Sequence, residues 1–292
     1  MRYITLAEMC KTIRDNFYKV PHDVDFVIGI PRSGVICASI ISEFLNCPLI
    51  DIDSFCFGAK PTGGGRLRYF ESKNKGEKKK VLVVDDTVFT GESKKRTKEQ
   101  LKKFEDEYEF IFLVVYLEGY AKDTIDIYLE DVSSATNGYR IPVLYEWNIF
   151  HHNEPIMKRC IYDIDGVFCV NPPDERDEEA YMKYIKDATP LFIPTAPIGE
   201  IMTYRLVKNQ AVTEEWLKKW GIKCNRLLMF NAQSWDERNK KGISSEDMKG
   251  MYYKEQAWAI LFVESDDYQA RRIFEISGKP VYCVESNKLY SK

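Results

Sequence analysis

Two pairs of acidic residues follow runs of apolar residues, and each pair could hold a phosphorylated ligand. The first pair, Asp85 and Asp86, comes after the aliphatic run 81–84 and before a turn that contains hydroxyl side chains and glycine. Such a run predicts a buried parallel strand, and open α/β sheets bind ligands at the carboxyl ends of their strands. Carboxylates suit sugar hydroxyls, while backbone N–H groups at a helix start suit a phosphate. The expected ligand is therefore a phosphorylated sugar.

The second pair, Asp163 and Asp165, follows the apolar run 160–162. Residues two apart in an extended segment point the same way, so both carboxylates are expected to face one site. Close carboxylates repel each other unless a proton or a metal ion lies between them. Mg²⁺, a hard cation that prefers oxygen ligands, fits this chemistry.

The first motif, VLVVDDTVFTGES at residues 81–93, resembles the phosphoribosyl pyrophosphate (PRPP) binding motif of type I phosphoribosyltransferases. A buried strand end with two solvated acids, as in receiver domains, is the alternative, but the following T-x-x-T-G-x-S favours the ligand site. The PRPP-binding residues implied by the resemblance are Asp85, Asp86, Thr87, Thr90, Gly91 and Ser93.

A second strand–turn–helix pattern precedes this motif. The apolar run 26–30 leads into Pro31-Arg32-Ser33-Gly34 and then into a helical pattern over 35–45. A helix start with a cationic side chain again suits an anion. In the family that the chain resembles, the equivalent loop binds the pyrophosphate of PRPP, which implies this role for Arg32, Ser33 and Gly34.

The segment 58–80 between the two loops contains three consecutive glycines at 63–65 and is expected to be mobile. Family members close a flexible loop over the pyrophosphate here, which excludes water from the reacting centre. Arg66 and Arg68, together with Lys60, are candidates for meeting the charge of the leaving group. A solvated basic hairpin is the alternative of nearly equal weight.

Composition limits the remaining options. A chain of 292 residues is expected to form about two domains. The net charge of −3 gives no field for nucleic acid, and no apolar run approaches the roughly 20 residues of a membrane span. The N-terminus is typical of an amphipathic helix and not of a signal peptide. The eight cysteines are scattered without a C-x-x-C pattern, which is typical of reduced residues in a cytoplasmic protein.

The second acidic motif, RCIYDIDGVF at residues 159–168, resembles the first motif of the haloacid dehalogenase (HAD) superfamily. The strand-like stretch 201–203, Lys254 before a helix, and AILFVESDD at 259–267 extend this resemblance. It implies that Asp163 attacks a phosphoryl group and that Asp165 protonates the leaving oxygen and then activates water. Thr203 and Lys254 would stabilise the phosphoryl oxygens.

The last HAD motif departs from the usual pattern. The family often has Gly-Asp or Asp-Asp at this strand end, where this chain has Glu264-Ser265-Asp266-Asp267. Either Glu264 or Asp266 could complete the Mg²⁺ ligands with Asp163 and Asp165. The span from Asp165 to Thr203 is short for a cap domain, so the module is expected to have little or no cap.

The nucleobase is expected to contact a small hood near residues 145–150. Trp147 is the candidate for stacking on a base, whereas Tyr145 and Phe150 are better explained as core residues. Glu146 and Asn148 offer an alternative, since hydrogen bonds discriminate between bases and stacking does not.

The sequence therefore predicts two α/β domains with mainly parallel sheets, at 1–152 and 153–292. The first resembles a phosphoribosyltransferase that moves a phosphoribosyl group from PRPP to a nitrogenous base with Mg²⁺. The second resembles a HAD phosphatase acting on a phosphorylated small molecule, with the new nucleotide as one candidate. The alternative is a PRPP- or nucleotide-binding regulator with a non-catalytic HAD domain. Homodimers are frequent in the first family, but no residue here indicates one, and the sequence does not identify the base.

Overall fold

The computed structural model describes residues 1–65, 67, 78–119, 122–133, 135–136, 139–140, 142–152, 154–174 and 176–292. The chain forms two compact units. The N-terminal unit spans residues 2–147, and the C-terminal unit spans 148–292 together with Met1. The boundary predicted from the sequence, after His152, lies a few residues further along the chain.

The N-terminal unit alternates strands with helices. Its elements in chain order are β1 (Arg2–Ile4), α1 (Leu6–Asp15), β2 (Phe26–Gly29), α2 (Ser33–Leu45), β3 (Leu49–Asp51), α3 (Ile52–Cys56), β4 (Lys79–Val88), α4 (Glu92–Leu101), β5 (Tyr108–Leu117), β6 (Ile127–Asp131), β7 (Ala135–Thr136), β8 (Tyr139–Arg140) and β9 (Val143–Tyr145).

Five of these strands form a parallel sheet in the order β3-β2-β4-β5-β6. Strand β3 lies on one side of β2, and the next strand in the chain, β4, lies on the other. The order therefore reverses between β2 and β4, which is where open α/β sheets leave a crevice for a ligand.

Successive side chains of this sheet point to opposite faces and pack into two hydrophobic cores, one on each face. On one face, Leu82 and Val84 of β4 join buried residues of α1 and α2 such as Met9 and Ile41. On the other face, Val81 and Val83 join residues of α3 and α4. Because both faces are covered, the central strands are apolar at successive positions. The prediction of an α/β fold with a parallel sheet in the N-terminal half is confirmed.

The C-terminal unit also alternates strands and helices. Its elements are α5 (Glu154–Met157), β10 (Cys160–Tyr162), α6 (Glu178–Asp187), β11 (Ile198–Leu206), α7 (Gln210–Lys219), β12 (Cys224–Phe230), α8 (Trp235–Lys241), α9 (Ser245–Glu255), β13 (Leu261–Glu264), α10 (Asp267–Ser277), β14 (Val281–Cys283) and β15 (Lys288–Tyr290).

The C-terminal sheet has the order β12-β11-β10-β13-β14-β15. Strand β15 pairs antiparallel with β14, whereas the other pairs are parallel, so the sheet is mixed. Its first five strands reverse their order between β10 and β13, which makes the carboxyl ends of these two strands the expected ligand edge. Among the described residues between Asp165 and Thr203, α6 is the one helix, followed by the start of β11.

Two further features concern the cysteines and the length of the helices. All eight cysteines lie in the described part of the chain and are free thiols, and five of them are buried. No helix of the described residues combines the length and the apolar character that a membrane crossing requires.

Candidate functional site

The acidic motif of the N-terminal unit lies where strand β4 extends beyond the end of its neighbour β2. Gly29, the last residue of β2, pairs with Val84 of β4, but β4 continues to Val88. Asp85 in this extension pairs with Val114 of β5 on the other side. The acids and Thr87 therefore belong to the strand itself, whereas the sequence placed them after its end. The extension leaves an open step beside Asp85 at the carboxyl edge of the sheet.

The predicted pyrophosphate loop lies against this step. Helix α2 begins at Ser33, and a β-carbon on Gly34 would lie 2.8 Å from the carbonyl oxygen of Val84 and 2.9 Å from Cα of Asp85. Only glycine permits an approach this close. Arg32 is exposed and has no ion-pair partner among the described residues, so its guanidinium is available to an anion.

The two acids of the step accept hydrogen bonds from neutral groups. Asp86 is only 8% exposed and accepts a bond from Nε1 of Trp147 at 2.6 Å. Asp85 accepts from the backbone N–H of Asp86 at 3.0 Å and, at 3.5 Å, from the hydroxyl of Ser93. Neither carboxylate is bonded to a cationic side chain anywhere in the described ranges.

The missing positive charge changes how these acids titrate. Burial raises the pKa of Asp85, and the neighbouring charge of Asp86 raises it further. Burial also raises the pKa of Asp86, while the bond from Trp147 acts in the opposite direction. A ligand that brings hydroxyl donors or a divalent cation would relieve this repulsion. The donor set therefore fits both a ribose and Mg²⁺.

The turn after β4 is built to leave backbone donors free. Gly91 precedes α4 and has φ of +78°, the left-handed conformation that glycine adopts readily. Thr90 is exposed, and its hydroxyl accepts a long bond of 3.4 Å from the backbone N–H of Glu92. The first N–H groups of a helix lack partners within the helix and favour anions. The turn is thus suited to a phosphate.

Trp147 is connected to this site in a way that the sequence did not indicate. Its ring packs on Tyr145, with ring centroids 4.9 Å apart, while its Nε1 bonds Asp86. Tyr145 is 2% exposed and Phe150 is 6% exposed, in agreement with the core interpretation of both residues. Glu146 accepts the backbone N–H of Leu6 at 2.7 Å. The role of Trp147 as a base contact stays a prediction.

Two predicted pyrophosphate contacts, Arg66 and Arg68, lie outside the described residues. Lys60 is exposed on the near side of that gap. The structure therefore brings together Ser33, Gly34, Asp85, Asp86 and Ser93 from the two predicted loops and adds Trp147.

In the C-terminal unit, the ends of β10 and β13 bring two carboxylates to one buried lysine. Asp163 follows β10 and Glu264 ends β13, and Nζ of Lys249 on α9 donates to them at 2.8 Å and 2.7 Å respectively. The three residues are at most 6% exposed. A buried cation between two carboxylates leaves one negative charge uncompensated.

This excess charge is visible in the titration of the cluster. Burial raises the pKa of Asp163 to about 8, and the negative charges of Glu264 and Asp165 act in the same direction against Lys249. Burial acts to lower the pKa of Lys249, but its two carboxylates outweigh burial and hold that pKa above its ordinary value. An additional cation would allow Asp163 to ionise at neutral pH.

The structure places Lys249, and not the predicted Lys254, beside Asp163. Lys254 is exposed on α9, whereas Lys249 on the same helix reaches Asp163. Five residues correspond to about 500° of helical rotation, so the two side chains point in different directions. A sequence signal did exist, because Lys249 precedes the buried Tyr253 by four residues and so shares its face.

Asp165 is held away from the predicted proton-transfer role. Arg205, fully buried on β11, donates from Nε to Asp165 at 3.0 Å, and the hydroxyl of Tyr184 donates to it at 2.6 Å. Burial acts to raise the pKa of Asp165, but Arg205 and these hydrogen bonds hold it below the usual range. A carboxyl that stays ionised is a poor proton donor. The one sequence feature that pointed to Arg205 is its position two residues after Thr203, on the same face of the strand.

Two other predicted residues of this unit, Thr203 and Asp266, form hydrogen bonds with backbone groups. Thr203 is fully buried, and its hydroxyl accepts the backbone N–H of Arg205 at 3.3 Å. Asp266 caps α10 by accepting the backbone N–H of Gln269 at 2.8 Å. No group of three or more His, Cys, Asp or Glu residues suited to a metal occurs in the described residues. Mg²⁺ often takes only one or two carboxylates together with water and phosphate oxygens, and Asp163 with Glu264 fits that smaller set.

The N-terminal unit is thus a doubly wound α/β structure. Its acids and the two turns suited to phosphate lie where the strand order of the sheet reverses. A family model described as "Phosphoribosyl transferase domain" matches residues 2–155. The chain belongs to the phosphoribosyltransferase family.

Solved structures with similarity to the chain include three phosphoribosyltransferases. The purine enzyme from Pyrococcus horikoshii is 21% identical over 50% of this chain and 94% of its own, with a TM-score of 0.34. The orotate enzyme from Aeropyrum pernix is 19% identical over 43% and 70%, with a TM-score of 0.31. The xanthine-guanine-hypoxanthine enzyme from Helicobacter pylori is 15% identical over 51% and 93%, with a TM-score of 0.36. No curated protein matches the chain.

Proposed function

We propose that the N-terminal unit transfers the phosphoribosyl group of PRPP to a nitrogenous base and releases pyrophosphate, as a glycosyltransferase-class enzyme. The observation that supports this most is the close approach of Gly34 to Asp85, because it brings two turns suited to anions together at one buried acid, Asp86, and one half-buried acid, Asp85. One bound molecule with a sugar between two phosphate groups suits such a site.

Each element of the site has a role in this proposal. Asp85 and Asp86 accept the ribose hydroxyls, Thr90, Gly91 and Ser93 hold the 5-phosphate, and the turn of Arg32, Ser33 and Gly34 holds the pyrophosphate. Thr87 lies beside them on β4. Mg²⁺ would screen the charge of the leaving pyrophosphate, and Asp85 and Asp86 are the residues that would hold it.

Trp147 is placed to serve two purposes. Its Nε1 fixes the carboxylate of Asp86, and its ring stands at the same site as a surface for a nucleobase. An aromatic surface accepts any base, because each has a π-face. Discrimination between purine, pyrimidine and pyridine bases therefore requires other groups that bond the base edge.

The proposal is tested by incubating the full chain with PRPP, Mg²⁺ and a panel of bases, and by following pyrophosphate and nucleotide by mass spectrometry. We expect one class of base to yield a nucleotide. Asp85→Asn should lower the rate about 10²-fold or more, since it removes a charge aimed at the reacting sugar. Asp131→Asn is the matched control, because Asp131 is exposed at the end of β6 in the same sheet.

A different result would favour the regulatory alternative. If the protein binds PRPP with a defined stoichiometry but leaves it intact with every base, the N-terminal unit is a sensor. If it neither binds nor consumes PRPP, the assignment of this site fails altogether.

For the C-terminal unit we propose a HAD-type phosphatase activity. The supporting observation is the contact of Lys249 with both Asp163 and Glu264 at the switch point of the sheet. Asp163 would act as the nucleophile and form an aspartyl phosphate. Lys249 would neutralise charge on the phosphoryl oxygens, and the hydroxyl of Thr203 would donate a hydrogen bond to one of them. Asp163 and Glu264 would hold Mg²⁺, which would polarise the phosphoryl group.

The ion pair of Asp165 with Arg205 sets a condition on this mechanism. Proton donation to the leaving oxygen from Asp165 requires that Arg205 release it, so esters with good leaving groups should react fastest. The substrate class is a phosphorylated small molecule, with the nucleotide from the N-terminal unit as one candidate.

The phosphatase proposal is tested by phosphate release from p-nitrophenyl phosphate and from nucleoside monophosphates in Mg²⁺. Asp163→Asn should abolish turnover, and Asp187→Asn, an exposed residue at the end of α6, should not. Equal rates near background for wild type and Asp163→Asn would favour a non-catalytic module. A nucleoside product in the combined reaction with PRPP and base would support coupling of the two activities, and its absence would count against coupling.

A further inference from the structure

Helix α4 carries a buried lysine that has no hydrogen-bond acceptor. Lys94 is 5% exposed, and its Nζ has no hydrogen-bond partner in the described part of the chain. Burying a polar group without such a partner costs free energy. A buried group in this state is therefore a candidate for contact with a ligand.

The surroundings of Lys94 are more positive than its one acidic neighbour can balance. Its Nζ lies 4.9 Å from the ring centroid of Phe112, and Nζ of Lys98 lies 5.3 Å from the same centroid. The nearest carboxylate oxygen, Oδ2 of Asp126, is 3.9 Å away and already accepts the backbone N–H of Phe112 at 2.8 Å. Two ammonium groups thus converge on one ring with a single distant counter-charge.

The helix adds to this potential. Lys94 is the third residue of α4, and the first turn of a helix carries a partial positive charge. Burial lowers the pKa of Lys94 to about 8, with Asp126 acting against burial and Lys98 acting with it. The amine is therefore still mostly protonated at pH 7, so a charge without a close counter-ion persists under ordinary conditions.

Lys94 faces a cavity large enough for a ligand. This cavity has a volume of about 640 Å³, and lysines at 94, 95, 98 and 102 line it along one side of α4. Acidic side chains also line it, and they belong to exposed residues such as Glu99, Asp123 and Asp126. Lys94 is the one buried charged residue of the described lining, so screening by water is weakest at its ammonium group.

This cavity differs in position from the proposed catalytic edge. Phe112 pairs with Val83, which precedes Asp85 by two residues in β4. The amine of Lys94 therefore lies beside the middle of the sheet, under α4, and not at the step beside Asp85. The lining of the cavity also includes Thr90 and Gly91 of the turn before α4.

We propose that Lys94 and Lys98 form a binding site for a phosphate-class dianion, separate from the proposed PRPP site. A tetrahedral oxyanion would supply acceptors to both ammonium groups and would separate their charges. Inorganic phosphate and the phosphate end of a nucleotide share this chemistry. The inference is independent of the transferase activity, since it rests on Lys94 and Lys98, which have no role in the proposed PRPP site.

The test is a calorimetric titration of the full chain with inorganic phosphate, in the presence of saturating PRPP. Lys94→Met, which keeps an apolar side chain of similar length in the buried position, should weaken phosphate binding at least tenfold. Lys98→Met should weaken it to a smaller extent, because Lys98 is exposed. Arg96→Met removes one charge from the same helix but not from the cavity, and it should leave binding within twofold.

A titration with a nucleotide distinguishes the two sources of the phosphate group. Adenosine monophosphate that binds more tightly than phosphate would identify a nucleotide, and equal affinities would identify the free ion. Should PRPP fail to bind, the Lys94-dependent part of the phosphate titration still measures this site alone. Equal phosphate affinity and stoichiometry in wild type and Lys94→Met would overturn the proposal.

Discussion

At the carboxyl edge of the N-terminal sheet, Asp85 and Asp86 accept hydrogen bonds from neutral groups, whereas at the same edge of the C-terminal sheet Asp163 and Glu264 share the ammonium of Lys249. Both pairs lie where the strand order reverses, so topology alone does not separate them. The difference lies in the source of the positive charge. The N-terminal acids depend on their ligand for it, and the C-terminal acids carry most of it within the fold.

The difference also has a cost in stability. A buried carboxylate without a cation is destabilising. At the N-terminal edge Asp85 and Asp86 therefore repel each other until a ligand supplies hydroxyl donors or a cation. At the C-terminal edge Lys249 offsets part of that repulsion, so the stability of this edge depends on the lysine. Four changes test this comparison.

Replacing Lys249 should have the largest effect. Lys249→Met removes the cation and leaves Asp163 and Glu264 buried together, which is expected to cost about 3–5 kcal/mol of unfolding free energy. Hydrogen-exchange protection of the β10 and β13 amides at pH 7 measures it. Lys254→Met, on the exposed side of the same helix, should change stability by less than about 0.5 kcal/mol. Equal losses in the two variants would contradict the central role of Lys249.

The pH dependence of the C-terminal unit should come next. Because the pKa of Asp163 is raised from 3.8 to about 8, the folded protein keeps a proton that the unfolded chain has released between these values. This contribution to stability is present at low pH and falls as pH rises, by up to about 1.4 kcal/mol per pH unit. Asp163→Asn should flatten the fall between pH 5 and 7. An unchanged slope in that variant would show that Asp163 does not titrate in this range.

Gly34→Ala tests the close approach of the two loops in the N-terminal unit. The added methyl group would meet the backbone at Val84 and Asp85, which should cost about 1–3 kcal/mol and weaken PRPP binding. Gly65→Ala is the control, because a β-carbon there would have no neighbour within 4 Å. Isothermal titration with PRPP and denaturant unfolding measure the two effects. PRPP affinity that is unaffected by Gly34→Ala would separate this loop from the site.

Trp147→Phe should have the smallest effect. It keeps an aromatic ring but removes the donor to Asp86, so the pKa of Asp86 should rise further. Because PRPP with Mg²⁺ requires the ionised carboxylate, the pH profile of binding should move to higher pH. At pH 6 we expect about tenfold weaker binding, the effect of losing one hydrogen bond to a charged group.

Tyr145→Phe is the matched control for Trp147→Phe. It removes the hydroxyl that bonds Glu118 but leaves the ring against Trp147 and the bond to Asp86. Its pH profile should stay where it is in the wild type. The same displacement in both variants would assign the effect to the packing of these rings and not to the bond.

The sequence was sufficient for features that depend on local patterns. The aliphatic runs before Asp85 and Asp163 predicted strands that β4 and β10 confirm. It was not sufficient for the end of β4, because the pairing of Asp85 and Thr87 with β5 extends the strand beyond the apolar run. It also did not predict the antiparallel β15, because this strand begins with an exposed lysine and none of its three residues is fully buried, so it lacks the apolar run that marks β10.

Long-range contacts explain what was missed at the sites. Arg205 and Asp165 are 40 residues apart, and Trp147 and Asp86 are 61 apart. No spacing rule connects such pairs. Only the folded chain shows that Arg205 neutralises Asp165 and that Trp147 orients Asp86. Lys249 was within reach of a helical-face argument, but the prediction of Lys254 assumed that this residue precedes a helix, whereas it lies inside α9.

The two buried lysines should respond in opposite ways to an amine-reactive reagent. Only a neutral amine acylates, and the pKa of Lys94 is lowered to about 8 beside an open cavity, whereas that of Lys249 is raised between two carboxylates. Acylation of the purified protein at pH 8 should therefore label Lys94 faster than Lys249. Of these two lysines, the one on α4 is the better anchor for a covalent probe.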